Sequence, residues 1–187
     1  MGKTFVEIGD QLAQWLTRQP VFFVATAPLA GDGLINLSPK GNREEFLVTG
    51  PRRVAYLDQT GSGVETIAHL KENGRVVIMF CAFDGAPRIV RLHGTGRAIV
   101  RDSAEFVAKA GQFPDASGVG VRAVIEVDVE RISDSCGYGV PFMTFDEHRP
   151  TMDQWAQRKG PVGIRDYWVE KNRQSIDGLE GIEAPGS

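Results

Sequence analysis

RRVAYLDQTGSGVET, residues 52–66, joins two kinds of structure end to end. RRVAYLD is apolar and β-favouring, so it reads as a buried strand that ends at Asp58. A helix is expected to begin at Ser62, and between the two lie Thr60, Gly61, Ser62 and Gly63. Amides at the start of a helix have no partner in the helix, and the helix dipole adds positive potential there, so the turn suits a phosphate. Ser62 and Glu65 also have the S-x-x-E spacing of a capping box, which would do no more than start the helix. The two readings are compatible, because amides left over by a cap can still face a ligand.

Upstream, residues 5–19 have helical spacing, with Ile8, Leu12, Trp15 and Leu16 on one face and Pro20 as the stop. VFFVATA at 21–27 reads as a buried strand, AGDG at 30–33 as a hairpin turn and LINLS as the return strand. SPKGNREE at 38–45 reads as a polar loop, and FLVTG at 46–50 as a short strand. Downstream, the helix from Ser62 is expected to reach Asn73, with Gly74 closing it. RVVIMFCAF at 75–83 and RIVRLHGTGRAIV at 88–100 are apolar strands, and Gly94 and Gly96 in the second mark a bulge or barrel corner. A short helix capped by Asp102 or Ser103 runs to Lys109, and RAVIEVDVERI at 122–132 is the last strand. That makes about six strands in meander order with one helix inserted and short helices at the edges. The pattern is mainly β and argues for an antiparallel barrel or sandwich, since βαβα alternation is absent.

The chain has 187 residues, 42% of them hydrophobic and 24% charged, with net charge −3. One domain is expected over residues 1–187: an N-terminal helix to residue 20, a barrel core over 21–132, and a C-terminal part over 133–187. Without a long basic tract, nucleic acid is not expected as a partner. Without an apolar run of spanning length or an apolar signal core in MGKTFVEIGDQL, a membrane is not expected either, and the location is expected to be cytoplasmic. Cys81 and Cys136 have no disulfide-framework or metal spacing and read as reduced thiols. Met152–Arg158 and Asp166–Lys171 are helical in pattern. Trp155, Tyr167 and Trp168 require cover from the barrel or a partner subunit, whereas EGIEAPGS at 180–187 reads as frayed.

Three motifs in this order resemble the flavin-binding split barrels of the pyridoxamine 5′-phosphate oxidase-like superfamily: SPKG at 38–41, YLDQTGSGVET at 56–66 and HLKENGRVVIMF at 69–80. SDSCGYGVP at 133–141 is similar to an oxidase-related subgroup of it. The resemblance covers roughly residues 20–132. It implies an antiparallel six-stranded split β-barrel that binds FMN at a homodimer interface and acts as a flavin-dependent oxidoreductase on a small molecule. The alternative is a non-catalytic carrier or sensor of flavin, deazaflavin or haem.

Carried over by position, the resemblance implies that Ser38, Lys40 and Gly41 face the flavin or its ribityl chain. Tyr56, Leu57 and Asp58 would flank it, and Thr60, Ser62 and Gly63 would hold the phosphate. Arg91 is a candidate cation, and Arg52 or Arg53 could add to it. Basic residues expected straight after the phosphate serine are replaced by Gly63, Val64 and Glu65, and the C-terminal Arg/His substrate motif is not recognisable in EHRPTMDQWAQRKG. No catalytic side chain and no metal set is assigned. His69 reads as a surface residue of its helix, and His93 as a strand residue that could face a ligand cleft.

Overall fold

The computed structural model describes residues 2–41, 43–114 and 116–183. Its eight strands are β1 (Thr4–Phe5), β2 (Val21–Thr26), β3 (Asn36–Gly41), β4 (Phe46–Gly50), β5 (Arg53–Gln59), β6 (Arg75–Cys81), β7 (Ile89–Val100) and β8 (Val121–Ser135). Four helices accompany them: α1 (Asp10–Thr17), α2 (Glu65–Glu72), α3 (Phe106–Ala110) and α4 (Thr151–Lys171). The strands form one antiparallel sheet in the order β3-β2-β6-β7-β8-β5-β4, and β1 pairs with β8. The count exceeds the expected six partly because β1 has only two residues, too few for periodicity to reveal. Its strand geometry comes from its pairing with Ser133 and Ile132.

The sheet is curled into a half-barrel. β2 and β4 are separated in the sheet by β6, β7, β8 and β5, yet the Phe22 and Phe46 rings lie 5.3 Å apart. Phe22 also meets Tyr56 at 5.4 Å and Phe80 at 5.4 Å, and Phe46 meets Phe80 at 4.9 Å. This aromatic cluster is the centre of the core. Burial of such rings and their edge-on contacts are the main forces that hold the curled ends together.

Alternate residues of β5 face opposite ways. Val54 and Tyr56 join the barrel interior, while Ala55 and Leu57 join a second cluster under α3 with Phe106 and Phe113. β7 bends at the expected place, where the register shifts between His93 and Gly94. A Cβ on Gly94 would lie 2.1 Å from the Asp128 carbonyl oxygen, so only glycine fits there.

Three local expectations are corrected. SPKG lies in β3 and not in a loop; because β3 is an edge strand, Pro39 removes no ladder hydrogen bond that the sheet needs. The helix begins at Glu65, not Ser62, and its N-cap is Val64 without a side-chain cap bond, so the capping box does not form. The C-terminal end is anchored as far as residue 183: Ile182 is buried in the main core and its amide donates to the Asn172 carbonyl. The remaining residues of EGIEAPGS, 184–187, lie outside the described residues. The two helical patterns of the C-terminal part form α4, which breaks at Gly160 (φ 66°) directly before Pro161. Among the described residues, no helix is long and apolar enough to cross a membrane.

Gly94→Ala is expected to destabilise the protein by about 2 kcal/mol or more, because the strand must shift away from Asp128. Urea unfolding measures this, and an unchanged midpoint would contradict the close approach of β7 to β8.

Candidate functional site

The sheet opens onto a cleft of about 880 Å³ between β3, the end of β5, the 60–64 turn and the segment that precedes α4. Beneath it lies Asp58, with no exposed surface. Arg122 Nε donates to one carboxylate oxygen at 2.6 Å and Lys40 Nζ to the other at 2.8 Å. Burial by itself would raise this carboxyl. The facing charges of Arg122 and Lys40, with their hydrogen bonds, outweigh it and hold Asp58 at about 2. Lys40 also lies 5.9 Å above the Tyr56 ring.

Arg122 does more than neutralise Asp58. Its Nη1 donates to the Gly63 carbonyl at 2.8 Å and to Asn172 Oδ1 at 3.0 Å. Asn172 Nδ2 in turn donates to the Gly61 carbonyl at 3.0 Å. Thr60 is tied twice to the Gly120 carbonyl, through its amide and its hydroxyl, each at 2.7 Å, and its hydroxyl accepts from Trp168 Nε1 at 2.9 Å. A planar trans peptide points its C=O and the following N–H in opposite directions. With the carbonyls of Gly61 and Gly63 held by Arg122 and Asn172, the amides of Ser62 and Val64 point away from these side chains. Of these two residues Ser62 lines the cleft and Val64 is buried, so one fixed donor, the Ser62 amide, lies at the cleft beside the first turn of α2, where an anion is favoured. Glu65 also borders the cleft, and its carboxylate accepts the Ile176 amide at 3.3 Å.

A second polar chain runs inward from β3. Ser38 donates to Asn36 Oδ1 at 2.9 Å, and Asn36 Nδ2 reaches Thr26 at 3.1 Å and Thr66 at 3.0 Å. Thr26 Oγ1 meets His69 Nδ1 at 2.9 Å. His69 is therefore fully buried and not on the helix surface, because α2 lies against the sheet on that side. His93 is exposed on β7 and does not line the cleft.

Of the residues chosen from the sequence, Ser38, Lys40, Gly41, Leu57, Ser62 and Gly63 line the cleft, and Asp58 underlies it. Three do not. Tyr56 belongs to the barrel core, where burial pushes its phenol well above the usual range. Thr60 is buried with its hydroxyl engaged by Gly120 and Trp168, so its side chain is a structural tie and does not face the cleft. Arg91 donates to Ser135 at 3.1 Å, outside the cleft. Arg52 and Arg53 are also engaged elsewhere. Arg52 donates to the backbone carbonyls of Val6, Val129 and Glu130, and Arg53 pairs with Asp128 at 2.7 Å.

Sequence reasoning assigned no site role to Arg122, Trp168 or Asn172. Arg122 left one trace: it is a charged residue at the head of the run Ala123, Val124, Ile125, which is buried on both faces of β8, and it is itself only 4% exposed. Asn172 and Trp168 left no trace of their roles, since nothing local tells an Asn at a helix end that it will meet a turn 111 residues away. Among the described residues, no group of three His, Cys, Asp or Glu side chains converges on a point that could hold a metal ion.

Comparison with known proteins agrees with this architecture. A family model described as pyridoxamine 5′-phosphate oxidase matches residues 8–136. The pyridoxamine 5′-phosphate oxidase family protein ustO of Aspergillus flavus is 40% identical over 194 residues, covering 96% of this chain and 78% of that protein. The crystal structure of HupZ from Group A Streptococcus is 25% identical, with a TM-score of 0.52, covering 67% of this chain and 91% of that one. The chain belongs to the pyridoxamine 5′-phosphate oxidase family, and its fold is the split barrel of that family's relatives. The match to the family model ends at residue 136, so Trp168 and Asn172 lie beyond it.

Asp58→Asn is expected to cost about 3–5 kcal/mol at neutral pH, because it leaves two cations facing no charge. The folded-state value of Asp58 is depressed, so its stabilising contribution is present above the unfolded value near 4 and is lost as pH falls through about 2. The gap between wild type and variant should therefore narrow by about 2 kcal/mol between neutral pH and pH about 2. Urea titrations across that range measure it, and a gap that does not change with pH would contradict the clamp.

Proposed function

We propose that the protein binds FMN in this cleft and acts as an oxidoreductase on a small-molecule substrate, as a homodimer in the cytoplasm. The observation that carries the reading is the 60–64 turn, whose Gly61 and Gly63 carbonyls are held by Asn172 and Arg122, so that the Ser62 amide is turned away from these side chains at the cleft wall. Lys40 and Arg122 share the single carboxylate of Asp58, which leaves one positive charge in excess around that carboxylate. A flavin phosphate needs both donors and cations. Arg149 adds a further cation at the cleft wall, which Glu45, Glu65 and Glu147 also line, so the positive charge available to a phosphate is local to Lys40 and Arg122.

The rest of the cleft suits the ring. Leu57, Phe83, Met143, Phe145 and Met152 supply apolar walls, while Ser38, oriented by Asn36, and the edge strand β3 supply polar groups along one side. Bound there, a flavin supplies hydride or electron transfer at its ring, and the chain's own groups position it and exclude water. On this reading no side chain has to act as acid or base.

Exposed apolar residues flank the cleft on two sides. Leu34, Ile35 and Leu37 lie at or beside β3, and Tyr138 and Phe142 lie on the segment before α4. Patches of this kind support cover by a second copy of the chain. Sedimentation at micromolar concentration should give the mass of a dimer, and a monomer would refute that part of the proposal.

The absorption spectrum of protein purified without added cofactor, and again after titration with FMN, tests the main reading. Flavin bands are expected, and Asn172→Ala should weaken FMN binding about tenfold by releasing the Gly61 carbonyl and one Arg122 bond. A colourless protein that does not bind FMN would overturn the reading, and a haem or deazaflavin spectrum would replace the cofactor.

A further inference from the structure

A carboxylate of the chain itself already lies on the turn that favours an anion. A Cβ built on Gly63 would fall 2.2 Å from Glu65 Oε2 and 3.2 Å from Glu65 Cδ, so this carboxylate packs directly against the Gly63 backbone. Gly63 does not have a positive φ, so its backbone conformation does not call for glycine. Its missing side chain leaves room for the carboxylate.

Glu65 is half-buried, and it lines the cleft together with Ser62 and Gly63. Its Oε1 accepts the Ile176 amide at 3.3 Å, a tether from the chain that follows α4. Among the described residues, Oε2 has no donor and the carboxylate no cation. Glu65 is also the first residue of α2, where the helix dipole favours a negative charge. A ligand phosphate would draw on that same potential, and two anions at one helix start repel each other.

The other carboxylates of the cleft wall are placed differently. Glu45 Oε1 accepts Gln59 Nε2 at 2.6 Å, and Glu147 is exposed on the segment before α4. Lys40 and Arg122 exceed Asp58 by one positive charge, and Glu65 cancels that excess at the turn.

We propose that Glu65 sets the cofactor preference of the cleft by opposing a flavin phosphate at the start of α2. The ring and ribityl chain, which FMN and riboflavin share, then carry most of the affinity, and the phosphate adds little. The cofactor preference rests on the flavin reading, whereas the opposition between Glu65 and a phosphate does not.

Calorimetric titration of the wild type and of Glu65→Gln with FMN and with riboflavin tests the proposal. Glutamine keeps the size of the side chain and the acceptor for Ile176, and removes only the charge. The wild type should bind FMN no more than about tenfold more tightly than riboflavin. Glu65→Gln should tighten FMN about tenfold and leave riboflavin within about twofold. Titration with inorganic phosphate, followed by phosphorus NMR, is the arm that needs no flavin, and there Glu65→Gln should bind about tenfold more tightly than the wild type. Flavin binding in which FMN gains nothing from Glu65→Gln, an equal gain for riboflavin, or no response of phosphate to the substitution would each overturn the proposal. Tighter phosphate binding by a variant that takes up neither flavin would leave the opposition at the turn standing and remove the flavin reading.

Discussion

The site depends on one buried carboxylate. Asp58 has no exposed surface and would be costly as an isolated charge. It is stable there because Arg122 and Lys40 approach it from different strands, β8 and β3, which are far apart in the order of the sheet. The same arrangement fixes Arg122, and Arg122 with Asn172 fixes the carbonyls of the 60–64 turn. Stability and the geometry of the turn are therefore coupled in this part of the molecule.

That convergence is possible only because the sheet curls. A flat sheet in this order would separate β3 from β5 by several strands. The contacts of Phe22 with Phe46 and Tyr56 bring the two ends together, and the bulge at Gly94 bends the long strand β7 between them. The aromatic core and the bulge thus act on the cleft from a distance, by setting where Lys40 meets Asp58.

The C-terminal part is structural as well as covering. α4 delivers Trp168 to Thr60, and Asn172 at its end reaches Gly61; the chain then returns so that Ile182 enters the main core. The break at Gly160, with Pro161 after it, lets two helical pieces follow the surface of the barrel instead of leaving it as one rod.

Local pattern in the sequence was enough for most of the strands, though not for β1 or the SPKG part of β3, and for the bulge and the family. The apolar runs of β5 and β7, the alternation in β8, the glycine pair in β7 and the order of three motifs are all short-range signals. They led to the split barrel and to Ser38, Lys40, Gly41, Leu57, Ser62 and Gly63 around one cleft. The same signals failed where a distant partner decides the role of a residue. Thr60 looked like a phosphate ligand until Trp168 and Gly120 took its hydroxyl, and His69 looked exposed until Thr26 met it beneath the helix. Ser62 looked like a cap, although the helix begins three residues later. The choice of Arg122 and Asn172 as the groups that hold the turn belongs to tertiary structure alone, because their partners are 50 or more residues away and no periodicity within a strand or helix encodes such a meeting.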